Sequence, residues 1–228
     1  MNNMTISRRM GLVAGISLVI MAIVAGFAYG YIFQSIYIPF DQYTTLLNLK
    51  QFSFLFRLFI FLFLIVLILD IIVAWALYYF FKEDNESLSL LTAYLRLVYA
   101  GLLGISFLNL LHVLQLREQT PNDASLIMVQ LNTFLDMWSL GLIVFACHLF
   151  VLGYLIFTSG YIPKFIGALA ILAGLAYLFT NSANLLLPDY YLYKAKIEMI
   201  LGLPMALGEL AFAVWLIAKG GKVGNYNK

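Results

Sequence analysis

The sequence predicts an all-α fold, a polytopic transmembrane bundle of six helices with both termini on the inner side. Three observations carry this. The 228 residues are 64% hydrophobic and 11% charged, with a mean hydropathy of +0.96, more apolar surface than a water-soluble domain can hide. Six apolar stretches each reach the ~20 residues that a spanning helix needs. Short polar segments separate them, and the apolar runs fill the chain so completely that residues 1–228 read as a single integral membrane domain. The net charge of +2 gives no reason to expect a nucleic-acid partner. Lone Cys147 excludes an intramolecular disulfide and reads as a small packing residue.

The first helix, 10–33, follows Arg8 and Arg9 and so imitates a signal peptide. Its apolar run outlasts the ~7–15 residues of a signal core, which makes it an uncleaved first span. The second, 52–81, has Arg57 near its start, close to the headgroups, and ends at "KEDNES". Asn85 is the expected N-cap of the third helix, 88–116, and Asp123 that of the fourth, 126–158, after "REQTPNDAS". At ~33 residues the fourth exceeds the bilayer core, so its "LIMVQLNTF" start is expected to project beyond the bilayer or tilt along its surface. "TSGYIPK" precedes the fifth, 163–187, and "LPDYYLYK" the sixth, 195–219.

Basic residues set the orientation. With the N-terminus inside, Arg8, Arg9, Lys82, Lys164, Lys219, Lys222 and Lys228 fall on the inner face, against Lys50, Arg57, Arg117, Lys194 and Lys196 outside. Trp75, Tyr78, Tyr79 and Trp215 would form an inner aromatic belt, and Trp138, Tyr190, Tyr191 and Tyr193 an outer one. The pairs Gly11/Gly15, Gly26/Gly30 and Ala170/Gly174 have the spacing of close helix contacts within a bundle, and a homo-oligomer seam stays open as a second use.

A charge inside a bilayer costs about 2.5–3.5 kcal/mol on insertion scales, so each one demands a reason. Counting 1.5 Å per residue from the inner helix ends puts Arg96 at ~12 Å, His148 and Glu209 at ~15 Å and Asp70 at ~16 Å, one layer near the midplane. Asn109, Asn181, Asn184 and Glu198 fall at ~27–32 Å, with Asp136 and His112 at ~33–36 Å, near the outer boundary. Asp136 and His148 are thus ~18 Å apart along one helix and cannot be partners. A haem held by His112 and His148 fails the same test.

Arg96 keeps its proton and needs a carboxylate, and Asp70 on the preceding helix is the natural one. That pair reads either as a lock on the bundle or as the frame of a site. Glu209 and His148 at matching depth could share a proton, and Pro204 frees a backbone carbonyl near Ile200 where a kink could line a cavity. The upper group reads either as a vestibule or as interfacial residues bonded to headgroups.

The strings "LDIIVAWALY" (69–78), "RLVYA" (96–100), "FLDMWSLGLIVFACHLFVLGYLIFTSGYIP" (134–163), "ILAGLAYL" (171–178), "NLLLP" (184–188) and "LGEL" (207–210) occur together. As a set they resemble a bacterial membrane family known as a domain of unknown function, DUF4386. The resemblance implies several membrane helices in a bacterial inner membrane and carries no activity. Its motif positions include Asp70, Arg96, Asp136, His148 and Glu209; His112 is not among them.

The leading functional expectation is binding, sensing or proton-linked transport of a small solute or lipid headgroup at Asp70, Arg96, His148 and Glu209. Asn109, His112, Asp136, Asn181, Asn184 and Glu198 would form the outer vestibule. Alternatives are an intramembrane hydrolase, for which Asp70, His148 and Glu209 lack any diagnostic metal-binding spacing, and a structural or partner-binding subunit. No catalytic residue, metal or cofactor is expected; the bilayer is the expected partner.

Overall fold

A computed structural model describes residues 6–119 and 123–220; Lys222 and Lys228 lie outside them. Six apolar helices of membrane-crossing length make this a multi-pass membrane protein. The first span comprises α1 (Ile6–Ala25), a π-helical stretch Gly26–Phe33 and one further α-helical turn, α2 (Gln34–Ile36). It is followed by α3 (Gln42–Gln51), α4 (Ser53–Phe81), α5 (Glu86–Gln119), α6 (Ala124–Thr158), α7 (Lys164–Leu186) and α8 (Tyr191–Ala218). No strand occurs among the described residues.

The predicted caps are in place. The Asn85 side chain accepts from Leu88 N at 3.0 Å, and Asp123 from Leu126 N at 3.0 Å. Both satisfy backbone donors that a helix start leaves orphaned. One helix is additional to the sequence reading. Within the 34–51 connection, Asp41 caps α3 by accepting from both the amide and the hydroxyl of Thr44, which holds its carboxyl below the usual range. This short helix explains the excess length of α6. The first turns of α6 bury Ala124, Ile127, Met128 and Leu131, where α6 packs against α3. Tyr37 donates to Asn132 at 2.7 Å alongside.

The six spans form a ring in chain order: α1 on α4, α4 on α5, α5 on α6, α6 on α7 and α7 on α8. Contact between α8 and α1 closes it. Arg8 fastens this seam: its guanidinium donates to the carbonyls of Leu216 (2.9 Å), Ile217 (2.7 Å) and Gly220 (2.8 Å). The end of a helix leaves its last carbonyls short of internal donors, and Arg8 supplies them here, sharing the Leu216 carbonyl with Gly220 N at 3.1 Å. The same bonds put both described ends of the chain on one face, called the terminal face below. There Tyr161 donates to Asp84 at 2.6 Å, tying two connections together. Burial and the adjacent Asp84 carboxylate push the Tyr161 phenol above its usual range and keep it a donor.

Close helix approach depends on particular glycines. A Cβ on Gly153 would stand 3.0 Å from the Gly167 carbonyl oxygen, and one on Gly167 2.9 Å from that of Gly153, at the α6–α7 crossing. A Cβ on Gly15 would meet the Ala213 carbonyl at 2.9 Å, at the α1–α8 seam. Gly26 and Gly30 behave differently from the expectation: nothing lies within 4 Å of a Cβ at either. Two tryptophans are also not belt residues. Trp215 is buried, and Trp138 stacks edge-on against Phe63 and Tyr29 inside the ring. Cys147 is exposed on the outer side of α6 and packs no core.

The glycine geometry sets a test. Gly153→Val should lower stability by about 1–3 kcal/mol through overpacking, read as thermal unfolding in detergent. Gly101→Ala, with open space around it, should leave the transition unchanged or raise it.

Candidate functional site: a buried polar centre

The centre is organised by Arg96 on α5, which is wholly buried. Its Nε and Nη2 reach Asp70 Oδ1 on α4 at 2.9 and 2.8 Å. Its Nη1 donates to Glu209 Oε1 on α8 at 2.5 Å and contacts His148 Nε2 on α6 at 3.1 Å. The guanidinium carbon lies 5.3 Å from the centre of the Phe145 ring. Asp70, Arg96, His148 and Glu209 are therefore brought together by four helices, at one level.

The hydrogen bonds fix the imidazole tautomer. Arginine only donates, so His148 Nε2 accepts and the ring proton resides on Nδ1. Nδ1 then donates to the Thr92 carbonyl at 2.9 Å, with the Thr92 hydroxyl 3.2 Å away. This corrects the sequence expectation that Glu209 and His148 share a proton. Both bond the same Arg96 nitrogen, so the guanidinium stands between them.

Charge is not balanced at this point. One guanidinium meets two carboxylates, and the imidazole is neutral. Asp70 Oδ2 is buried with no hydrogen-bond partner, an exposed valence that a low-dielectric interior penalises. Glu209, whose side chain is 17% exposed, is the most accessible member.

Both carboxylates and Arg96 line a cavity of about 580 Å³, within the ~300–1,000 Å³ typical of small-molecule sites. Its walls include Tyr29, Tyr99, Trp138, Phe145 and Tyr177. Away from the terminal face it reaches Asn181, Lys194 and Glu198. Lys194 donates to Asn184 Oδ1 at 3.0 Å and lies 3.9 Å from Glu198. Asn184 in turn contacts Ser139 at 3.4 Å.

The expected vestibule is thus divided. Asn181 and Glu198 line the cavity, and Asn184 braces Lys194 at its mouth. Asn109 is buried between α5 and α6, donating to the Ser106 carbonyl at 3.1 Å and contacting Met137 sulfur at 3.2 Å. His112 and Asp136 are exposed and take no part in the lining. Sequence reasoning passed over Thr92, Tyr99, Tyr177 and Lys194. The first two were findable: they lie four residues before and three after Arg96, on its own helix face. The α8 helix runs unbroken through Pro204.

Among the described residues no group of three or more His, Cys, Asp and Glu side chains is arranged to hold a metal ion. Asp70, His148 and Glu209 all point at Arg96, whose guanidinium stands where a metal ion shared by the three would have to sit.

A family model described as "Domain of unknown function (DUF4386)" matches residues 13–220. An uncharacterised protein of Archaeoglobus fulgidus is 33% identical over 155 residues, covering 68% of this chain and 79% of the relative. The similarity therefore extends to an archaeon. No solved structure matches.

Two outcomes follow from the geometry. Arg96→Met strands the buried Asp70 and the half-buried Glu209 and should cost about 3–5 kcal/mol, measured by denaturant or thermal unfolding; adding Asp70→Leu should recover part of the loss. In ¹⁵N NMR of histidine-labelled protein, one imidazole should show the neutral form protonated on Nδ1, absent from His148→Phe.

Proposed function

As a member of the DUF4386 family, a grouping that carries no activity with it, the chain offers its polar centre as the guide to function, and we propose that it binds a small solute there in exchange with a proton. The cavity between Asp70, Glu209 and the outer rim is the observation that carries this reading. Proton-linked transport or sensing of a solute or lipid headgroup is the activity such a site serves, in a bacterial cytoplasmic membrane with both termini inside.

The roles divide by accessibility. Asp70 and Arg96 form the fixed frame, since both are buried on rigid helix interiors and paired through two guanidinium nitrogens. Glu209 faces the cavity and is the proton carrier. His148 acts as a neutral acceptor that holds the second hydrogen of Arg96 Nη1, leaving the guanidinium oriented when Glu209 changes protonation. Asn181, Lys194 and Glu198 form the polar rim. An intramembrane hydrolase would need a nucleophile or metal beside His148, yet both ring nitrogens are already bonded.

A second reading has its own support: the cluster bonds α4, α5, α6 and α8 together, as a purely structural lock would. The two readings part on Glu209. Native mass spectrometry of the purified protein should show a co-purifying small molecule whose retention varies with pH in the wild type. In Glu209→Gln the retention should become pH-independent, with the melting temperature little changed. Substitutions at all four positions that alter stability alone, with no bound molecule at any pH, would favour the structural lock.

A further inference from the structure

The cavity has a second property beyond its depth: it opens sideways. Gly26 of the π-helical stretch and Ala206 of α8 both line it and are both exposed. A Cβ on Gly26 or on Gly202 of α8 meets no atom within 4 Å. The first and last spans thus pack closely near the terminal face, at Gly15 and Arg8, and part above it. At 1.5 Å per residue, Gly26 stands ~30 Å from the start of α1 at Ile6 and Ala206 ~18 Å from the end of α8 at Ala218, which sets the gap in the half of the ~30 Å hydrocarbon layer away from the terminal face. Around this gap the exposed side chains are apolar, with Ile23, Leu203 and Leu207 among them. A solute leaving the bilayer laterally reaches Glu209 without crossing water.

The chemistry of the interior selects among such solutes. Of the charged groups lining the cavity, Lys194 and Glu198 offset each other at the rim, leaving Asp70 and Glu209 against Arg96. The inner end carries one surplus negative charge when both carboxylates are ionised. Asp70 Oδ2 supplies a buried acceptor with no donor. The walls are aromatic, and ring faces attract cations, the more so where water is excluded. An anion meets only like charge here, because the guanidinium is already taken up by two carboxylates and the imidazole.

We infer that the cavity takes a lipophilic cation, an amine or onium group on an apolar body, which enters from the bilayer between α1 and α8 and replaces a proton at the Asp70–Glu209 pair. The inference rests on the proton-exchange reading above and adds the ligand class and the route. Proton and cation compete for the same surplus charge. Binding therefore tightens as pH rises, up to tenfold per pH unit while the site is protonated, and levels off once it is not. The groups facing Glu209 across the cavity are Asp70 from α4, Arg96 and Tyr99 from α5, His148 from α6 behind Arg96, Tyr177 from α7, and Tyr29 with the thioether of Met21 from the first span.

Tetraphenylphosphonium and tetraphenylborate share a shape and differ in sign, which makes them the probes of choice in equilibrium dialysis with the full chain in nanodiscs. The phosphonium should bind saturably and more tightly at higher pH, and the borate should not. Glu209→Gln should weaken phosphonium binding at least tenfold and flatten its pH profile, while Glu209→Asp keeps the profile. Gly202→Trp, which adds bulk where there is open space, should slow or weaken phosphonium uptake without lowering the melting temperature. Borate binding as tight as phosphonium, no saturable phosphonium binding, or uptake indifferent to Gly202→Trp would each overturn the inference. Saturable, pH-dependent borate binding that Glu209→Gln flattens would remove the cation assignment and leave proton exchange standing. Phosphonium binding that is pH-independent in both wild type and Glu209→Gln would overturn both.

Discussion

A guanidinium buried in the middle of an apolar bundle is the constraint on which the rest depends. Arg96 keeps its proton at any ordinary pH, so its charge has to be met by geometry. Asp70 takes Nε and Nη2, Glu209 and His148 take Nη1, and Thr92 holds His148 from behind. Met21 and Tyr177 complete the surroundings from the remaining two spans. Every helix of the ring therefore contributes at one level. Such an assembly is a weak source of net stability, because desolvation offsets most of the attraction. Its effect is on uniqueness: a slip of one helix by a turn would leave a charge alone in hydrocarbon.

The same cluster is asymmetric in a way that joins structure to function. The contact to His148 is sealed, whereas Asp70 and Glu209 both border the cavity, and of these only Glu209 is partly exposed. A group that is both ion-paired and accessible can be protonated without dismantling the frame, because Asp70 still satisfies two guanidinium nitrogens. The π-helical stretch of the first span adds to this. A wider turn at Gly26–Phe33 interrupts regular packing where the wall opens, and such turns recur at functional sites.

Much of this was legible in the sequence, for physical reasons that differ by residue. Helix spans could be read because the bilayer sets a length and a polarity, and Asn85 and Asp123 because a helix start needs an acceptor. The depth layer of Asp70, Arg96, His148 and Glu209 follows from a constant rise per residue. Azimuth is what depth leaves open. Asp136 and His112 have the right height but face outward, whereas Lys194, read as a topology signal, turns inward to the rim. Likewise Arg8 reads as an inner-side charge, and only the approach of α8 makes it a cap. The π-helical turn has no signal in composition, and α3 was hidden because its ten residues, polar on average, resemble a loop.

The seam between α1 and α8 has a consequence for the order of events during synthesis. Neighbours along the chain can pair as soon as each hairpin is inserted, so Asp70 can meet Arg96 early. The last span is the one that carries Glu209, and it also bears the carbonyls that Arg8 fastens. Through most of translation the ring is therefore an open horseshoe, its interior facing lipid and its arginine balanced by Asp70 but short of one acceptor at Nη1. Arrival of the final helix closes the outline and brings the second carboxylate to Nη1 in a single act. A chain cut short before α8 would leave a guanidinium N–H in the bilayer without its acceptor and the α1 seam open, a mark by which quality control can tell an unfinished molecule from a finished one.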